Sequence, residues 1–220
     1  MENIEHQHFY GLLVQWPHGI VEPSHFVKCK GINFLGNIQN TRWEEYEYSC
    51  DKALLKEDQF NISGPYKYRI IIRRSGTRLL IMGPNRDIVE HFISSTLTLT
   101  VLPGLHSVSI AVDDFVKAIV KSPVDYVLSF VHVKVPAFGA SLRAISFYGE
   151  DLGEASLFGD NVELMVAFTC GLRKAIGGPE ILRLGSDGMV SFYLNIPSKV
   201  LEVEEILKLI SKKGFLKFEI

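Results

Sequence analysis

A chain of 220 residues that is 47% hydrophobic carries enough apolar surface for a packed core, which excludes a disordered or fibrous protein. Its 23 Lys and Arg against 25 Asp and Glu leave a net charge of -2, so any polyanion site has to be a local patch rather than a global field. Cys29, Cys50 and Cys170 stand far apart with no CxxC pair, which argues against a disulfide framework and for a reduced, cytoplasmic setting.

In chain order, the first 65 residues are the least regular. "MENIEHQHFYGLLVQW" lacks the basic and apolar regions of a secretory signal, and its "FYGLLVQW" reads as a strand. "HFVKCKGINFL" reads as a second strand. The acidic-aromatic run "RWEEYEYSCDKALLKEDQF" fits strand or helix, and "NISGPY" is a turn. "YRIIIRR", the turn "SGT" and "RLLIM" form a predicted hairpin, and "GPN" introduces the helix "RDIVEHFISS". Ile88, Val89, Phe92 and Ile93 share one face of that helix, Asn85 caps it, and Asp87 suits the positive end of its dipole.

Residues 94–112 hold no Asp, Glu, Lys or Arg and approach the length of a membrane span. Leu97, Leu99 and Val101 alternate with Thr98 and Thr100, so "LTLTV" is expected as a half-buried strand, and no membrane segment is expected. "HSVSIAV" follows as a short strand. "VDDFVKAIVKSP" is a strongly amphipathic helix with Val112, Phe115, Val116, Ile119 and Val120 inside and a stop at Pro123. "YVLSFVHVKV" and "LRAISFY" are strands joined by "PAFGAS". After the acidic loop "GEDLGEASLFGDN" come the strand "VELMVAF", the loop "GLRKAIGGPE" and the hairpin "EILRL", "GSDG", "MVSFYLNI". The last helix, "PSKVLEVEEILKLISKKG", has Ser198 as its expected N-cap, Leu201, Ile206, Leu207 and Ile210 on one face, Lys212 and Lys213 at its negative end, and Gly214 as C-cap before the strand "FLKFEI".

Residues 68–101 and 180–220 thus share one plan, β-turn-β-Pro-α-β, with Pro84 and Pro197 at the helix entrances. Strands outnumber helices without regular βα alternation. The expected class is α+β, with mainly antiparallel sheets covered on one face by helices. Two ferredoxin-like halves, each containing a ββαβ unit, fit the pattern, as do other split α+β plans. The expected division is 1–104 and 105–220, read either as two halves or as one continuous domain.

Four groups of residues are candidates for function. Arg73, Arg74 and Arg78 surround Gly76 at a hairpin tip, and Arg173 with Lys174 forms a second basic cluster. Converging guanidinium forks there suit a phosphate or carboxylate, although charged residues also keep sheet edges soluble. Asp160 and Glu163, in a run with Glu150, Asp151 and Glu154, offer carboxylates for a divalent metal, with His132 or Lys134 assisting; a solvated acidic loop is the plainer reading. His6, His8, His18 and His25 lack the tight Cys/His spacing of a zinc site, and His132 and Lys134 share the less apolar face of a strand. Trp43, Tyr46 and Tyr48, set among acidic residues, are the expected anchors of a protein interface.

No phosphate-loop spacing, no GxSxG elbow and no cofactor fingerprint is present, so no cofactor is expected and catalysis is not the favoured reading. Two ββαβ units with basic turns resemble, in plan, the RNA-processing proteins that cleave CRISPR repeats. That family's glycine-rich loop has closer glycines and basic residues than "GLRKAIGGPEILRLGSDG", and its catalytic histidine has no counterpart here. The leading expectation is a non-catalytic cytoplasmic binding protein that acts as subunit, adaptor or inhibitor in a protein assembly. The alternative is a nucleic-acid-binding or metal-dependent nucleic-acid-processing protein that uses the basic tips.

Overall fold

Three successive isoleucines, Ile70, Ile71 and Ile72, are all fully buried, although a strand points alternate side chains to opposite faces. Their sheet is therefore covered on both sides, and its strands read as apolar runs. The computed structural model describes residues 8–55, 64–121, 125–134 and 144–212. The expected turn at 136–141, the strand at 215–220, His6, Lys213, Gly214 and part of the turn at 61–66 lie outside these residues.

β1 (Tyr10–Gln15), β2 (Ile32–Asn37), β3 (Trp43–Cys50), β4 (Tyr66–Ser75), β5 (Arg78–Gly83) and β6 (His106–Ser107) form one sheet in the order β2-β3-β4-β5-β1-β6. β7 (Tyr126–Lys134), β8 (Ile145–Tyr148), β9 (Val166–Lys174), β10 (Glu180–Gly185) and β11 (Val190–Phe192) form a second, in the order β11-β10-β9-β7-β8. Every pairing within both sheets is antiparallel. The helices are α1 (Pro23–Val27), α2 (Arg86–His91), α3 (Val112–Lys121), α4 (Ser156–Gly159) and α5 (Ile196–Lys212). The class is α+β.

On one face of the first sheet, Tyr46, Tyr48, Ile70, Ile72, Leu79 and Ile81 pack with Phe26 of α1 and with Ile88 and Val89 of α2. On the other, Trp43, Ile71, Leu80 and Met82 join a core shared with α3, α5 and the inner face of the second sheet. Expected halves 1–104 and 105–220 are stitched along β1. Phe9 and Phe192 exchange backbone hydrogen bonds at 2.8 and 2.9 Å, Leu13 N–H donates to the Gly188 carbonyl at 2.8 Å, and Val108 N–H donates to the Leu13 carbonyl at 2.9 Å.

Several elements differ from expectation. "LTLTV" is not a strand. Phe92–Val101 continues α2 as a π-helix, in which Leu102 N–H donates to the Leu97 carbonyl and the Thr98 hydroxyl donates to the Ile93 carbonyl. Ser94 likewise bonds back to the Glu90 carbonyl, and no Gly or Pro interrupts the chain before Pro103, so the helix widens rather than stops. The first ββαβ unit therefore lacks its closing strand, and with it the first ferredoxin-like half.

"PSHFV" forms α1, started by Pro23 in the first turn and a reciprocal pair between Glu22 and His25. β9 runs on through Arg173 and Lys174, which places them on a strand and not in a loop. In α5, Leu201 is 67% exposed while Val200 and Val203 take the inner face with Ile206, Leu207 and Ile210. The Ser198 hydroxyl donates to the Asn195 carbonyl, so it does not cap the helix as expected. Asn85 does cap α2, accepting from Ile88 N–H at 2.9 Å, and the inner face of α3 is as expected.

Candidate functional site

The acidic-aromatic strand turns inward. Trp43, Tyr46 and Tyr48 are 0, 1 and 2% exposed, which corrects the expectation that their rings are presented to a partner. Trp43 faces the shared core while Tyr46 and Tyr48 face the helix-covered side, because β3 is buried on both faces. Each polar tip has an internal partner. Trp43 Nε1–H donates to Glu204 Oε1 at 2.6 Å, Tyr46 OH donates to Glu44 Oε2 at 2.8 Å, and Tyr48 OH lies 2.8 Å from His91 Nδ1. Burial pushes the Tyr46 phenol far up, and the Glu44 carboxylate adds to the effect.

The basic residues are likewise engaged. Arg73, its side chain 2% exposed, holds Glu204 of α5 at 2.5 and 3.0 Å. Arg74 grips Glu44, and Arg78 donates to Gln15 at 3.4 Å. In the second sheet, Arg173 donates to the Glu150 carbonyl at 2.6 Å and Lys174 pairs with Glu202 at 2.6 Å. The two clusters sit on different sheets, and the three arginines of the hairpin do not converge around Gly76. Glu163 pairs with Lys121 at 2.6 Å, Asp160 ends α4, and among the described residues no His, Cys, Asp or Glu cluster is arranged to hold a metal. His8 stacks on Tyr193, with ring centroids 4.6 Å apart, while His18 and His25 lie edge-on to Trp16.

The outer face of the second sheet, turned away from α3 and α5, brings His132, expected on the less apolar face of its strand, together with residues that the sequence did not single out. The inner positions Leu128, Val131, Cys170, Leu172, Leu182 and Leu184 are core, so strand alternation sends Phe130, His132 and Arg183 outward. Bulges in β7 and β10 re-aim this face locally. Tyr148 of β8 lies on Phe130, with centroids 4.8 Å apart, and is 73% exposed. His132 meets the edge of Phe168 at 4.4 Å, and its Nδ1 lies 2.6 Å from Ser146 Oγ.

Behind these rings a charged pair is fixed in place. Arg183 is stacked 4.8 Å from Phe130 and 5.7 Å from Tyr193, and bonds Glu180 at 2.8 and 3.0 Å. The Glu180 carboxylate lies across Gly171, where a Cβ would come within 2.1 Å of its Oε2. A side chain at this position would push the Glu180 carboxylate aside from its place over the strand. Burial raises the Glu180 carboxyl above its ordinary range, against the pull of Arg183, and burial with Arg183 lowers His8. The cue in the sequence is Gly171 in the middle of a strand, beside aromatic residues on both strands of the neighbouring hairpin.

Chemically, the face offers flat ring surface, one stacked guanidinium and little net charge. Ser146 and His132 are within nucleophile-to-base reach, but among the described residues no carboxylate bonds His132 to orient it. No protein-family model matches the chain, and no curated protein matches it in sequence.

Proposed function

We propose that the protein is a non-catalytic binding subunit, and that its partner is another protein seated on the outer face of the second sheet. The observation that carries this reading is Tyr148, 73% exposed, with its ring tilted against that of Phe130, over which the Arg183 guanidinium also lies. Exposed Tyr on a rigid base, next to Arg, is the chemistry of interface hot spots, since a two-torsion ring loses little entropy when it is covered. Val166, 46% exposed opposite Lys134, extends the apolar surface. Arg183 is neutralised by Glu180 and Arg173 by Glu150, so the face selects shape and apolar contact over negative charge. A cytoplasmic setting suits the free thiols of Cys29, Cys50 and Cys170. Among the described residues no helix is long and apolar enough to cross a membrane.

Nucleic-acid binding is the second reading. It rests on these same rings as a base-stacking platform and no longer on the basic hairpin tips. Affinity capture of the tagged protein from its native cells, with and without nuclease, separates the two. A stoichiometric protein retained after nuclease and reduced by Tyr148→Ala is the expected result. Recovery of RNA or DNA that is lost in high salt would replace it with the second reading.

A further inference from the structure

A polar pocket of about 410 Å³ opens where the end of β2, the start of β3 and the β4–β5 hairpin meet, lined by Asn37, Thr41, Arg42, Glu44, Arg74 and Gly76 among others. Its volume falls within the roughly 300–1,000 Å³ of small-ligand sites. Among its lining residues is an ion pair in which Glu44 is buried and Arg74 partly exposed. Glu44 is 4% exposed, and both of its oxygens receive Arg74 Nε–H at 3.1 Å, while Tyr46 OH donates to Oε2. Arg74 Nη1 also donates to the Val21 carbonyl at 3.2 Å, which fixes the plane of the guanidinium. A group held this rigidly loses little entropy when a ligand meets its remaining edge.

Charge decides the ligand. Glu44 cancels Arg74, so the pocket's net charge comes from Arg42. That side chain is exposed and makes no ion pair or hydrogen bond among the described residues. A site with one net positive charge matches one negative charge. A dianionic phosphate would leave a charge uncompensated beside a buried carboxylate. A carboxylate instead fits the planar fork of Arg42, with further donors on Arg74 and the Asn37 amide at the wall.

We propose that this pocket binds a monoanionic carboxylate, with Arg42 as its principal partner and the Glu44-locked Arg74 as its second. The group belongs either to a free small acid or to a peptide C-terminus. The test is a backbone amide NMR titration of the full chain at constant ionic strength. The probes are acetate, benzoate, inorganic phosphate, and one short peptide with a free or an amidated C-terminus. Saturable shifts at Thr41, Arg42 and Gly76 with the carboxylates, weaker by about tenfold or more in Arg42→Gln, are expected from the loss of a charge-assisted pair. Arg42 is exposed, so that variant keeps its fold, and a thermal melt checks this. Saturation by acetate or benzoate assigns a small acid. Saturation by the free peptide and not its amide assigns a chain terminus. Phosphate binding as tight as the carboxylates, an unchanged titration in Arg42→Gln, or no saturable shift with any carboxylate overturns the proposal.

Discussion

Arg73 shows how a residue read as a surface anion binder becomes structural. Its guanidinium and the Trp43 indole converge on Glu204, which lies 161 residues beyond Trp43 in sequence. No local pattern connects them, so the partner was not legible, although the apolar-aromatic character of both strands was. Removing one member of a buried pair strands the other, at a cost of about 3–5 kcal/mol. Glu204→Ala is therefore expected to lower stability by that order in urea denaturation, and a loss below about 1 kcal/mol would show that Arg73 finds water or another acceptor. His91 gives a second residue-scale outcome. Burial, and then Lys52, lowers its pKa from the ordinary value of 6.5, so the unfolded chain binds the proton more readily. Stability is complete above about pH 6.5 and falls as pH drops through that value toward the lowered one. The urea midpoint of the protein should decline over this window, and His91→Gln should flatten the part of the decline that belongs to this site.

Elements with strong local signals formed where the sequence placed them: the β4–β5 hairpin, α2 with its Asn85 cap, and the inner face of α3. Failures occurred where two signals competed. In "LTLTV" the period-two alternation lost to a helix already running, whose Ser and Thr hydroxyls return to backbone carbonyls. In "HFVKCKGINFL", expected as one strand, only the part from Ile32 forms one, because Pro23 and the Glu22–His25 pair start a short helix that takes in its first residues. The turn before β11 carries a sharper constraint. Gly188 has φ +94, and a Cβ there would sit 2.6 Å from the Val108 carbonyl oxygen and 3.1 Å from that of Leu13. Gly188→Ala adds backbone strain to a clash in the seam between the sheets, together about 3 kcal/mol or more. A melting temperature within a degree or two of the parent would mean that the seam relaxes easily.

Across the whole molecule, antiparallel pairing and α+β class were readable from hairpin turns and strand periodicity. The burial of both faces of the first sheet was hinted at only by the unbroken run Ile70, Ile71, Ile72. That burial takes Trp43, Tyr46 and Tyr48 into the core, while on the outer face of the second sheet Tyr148 is exposed beside a buried Phe130. Strand order is set by long-range contacts, so the sequence could not show that Phe130, Tyr148, His132, Phe168 and Arg183 would be neighbours. The most direct test of the proposed role is the affinity of the captured partner for the parent protein and for Tyr148→Ala, measured in the same salt series. The account predicts a protein partner that Tyr148→Ala weakens by about 30-fold, the range of an interface hot spot, with little dependence on salt. Equal affinity for the two proteins, or binding that collapses as salt rises, would contradict it.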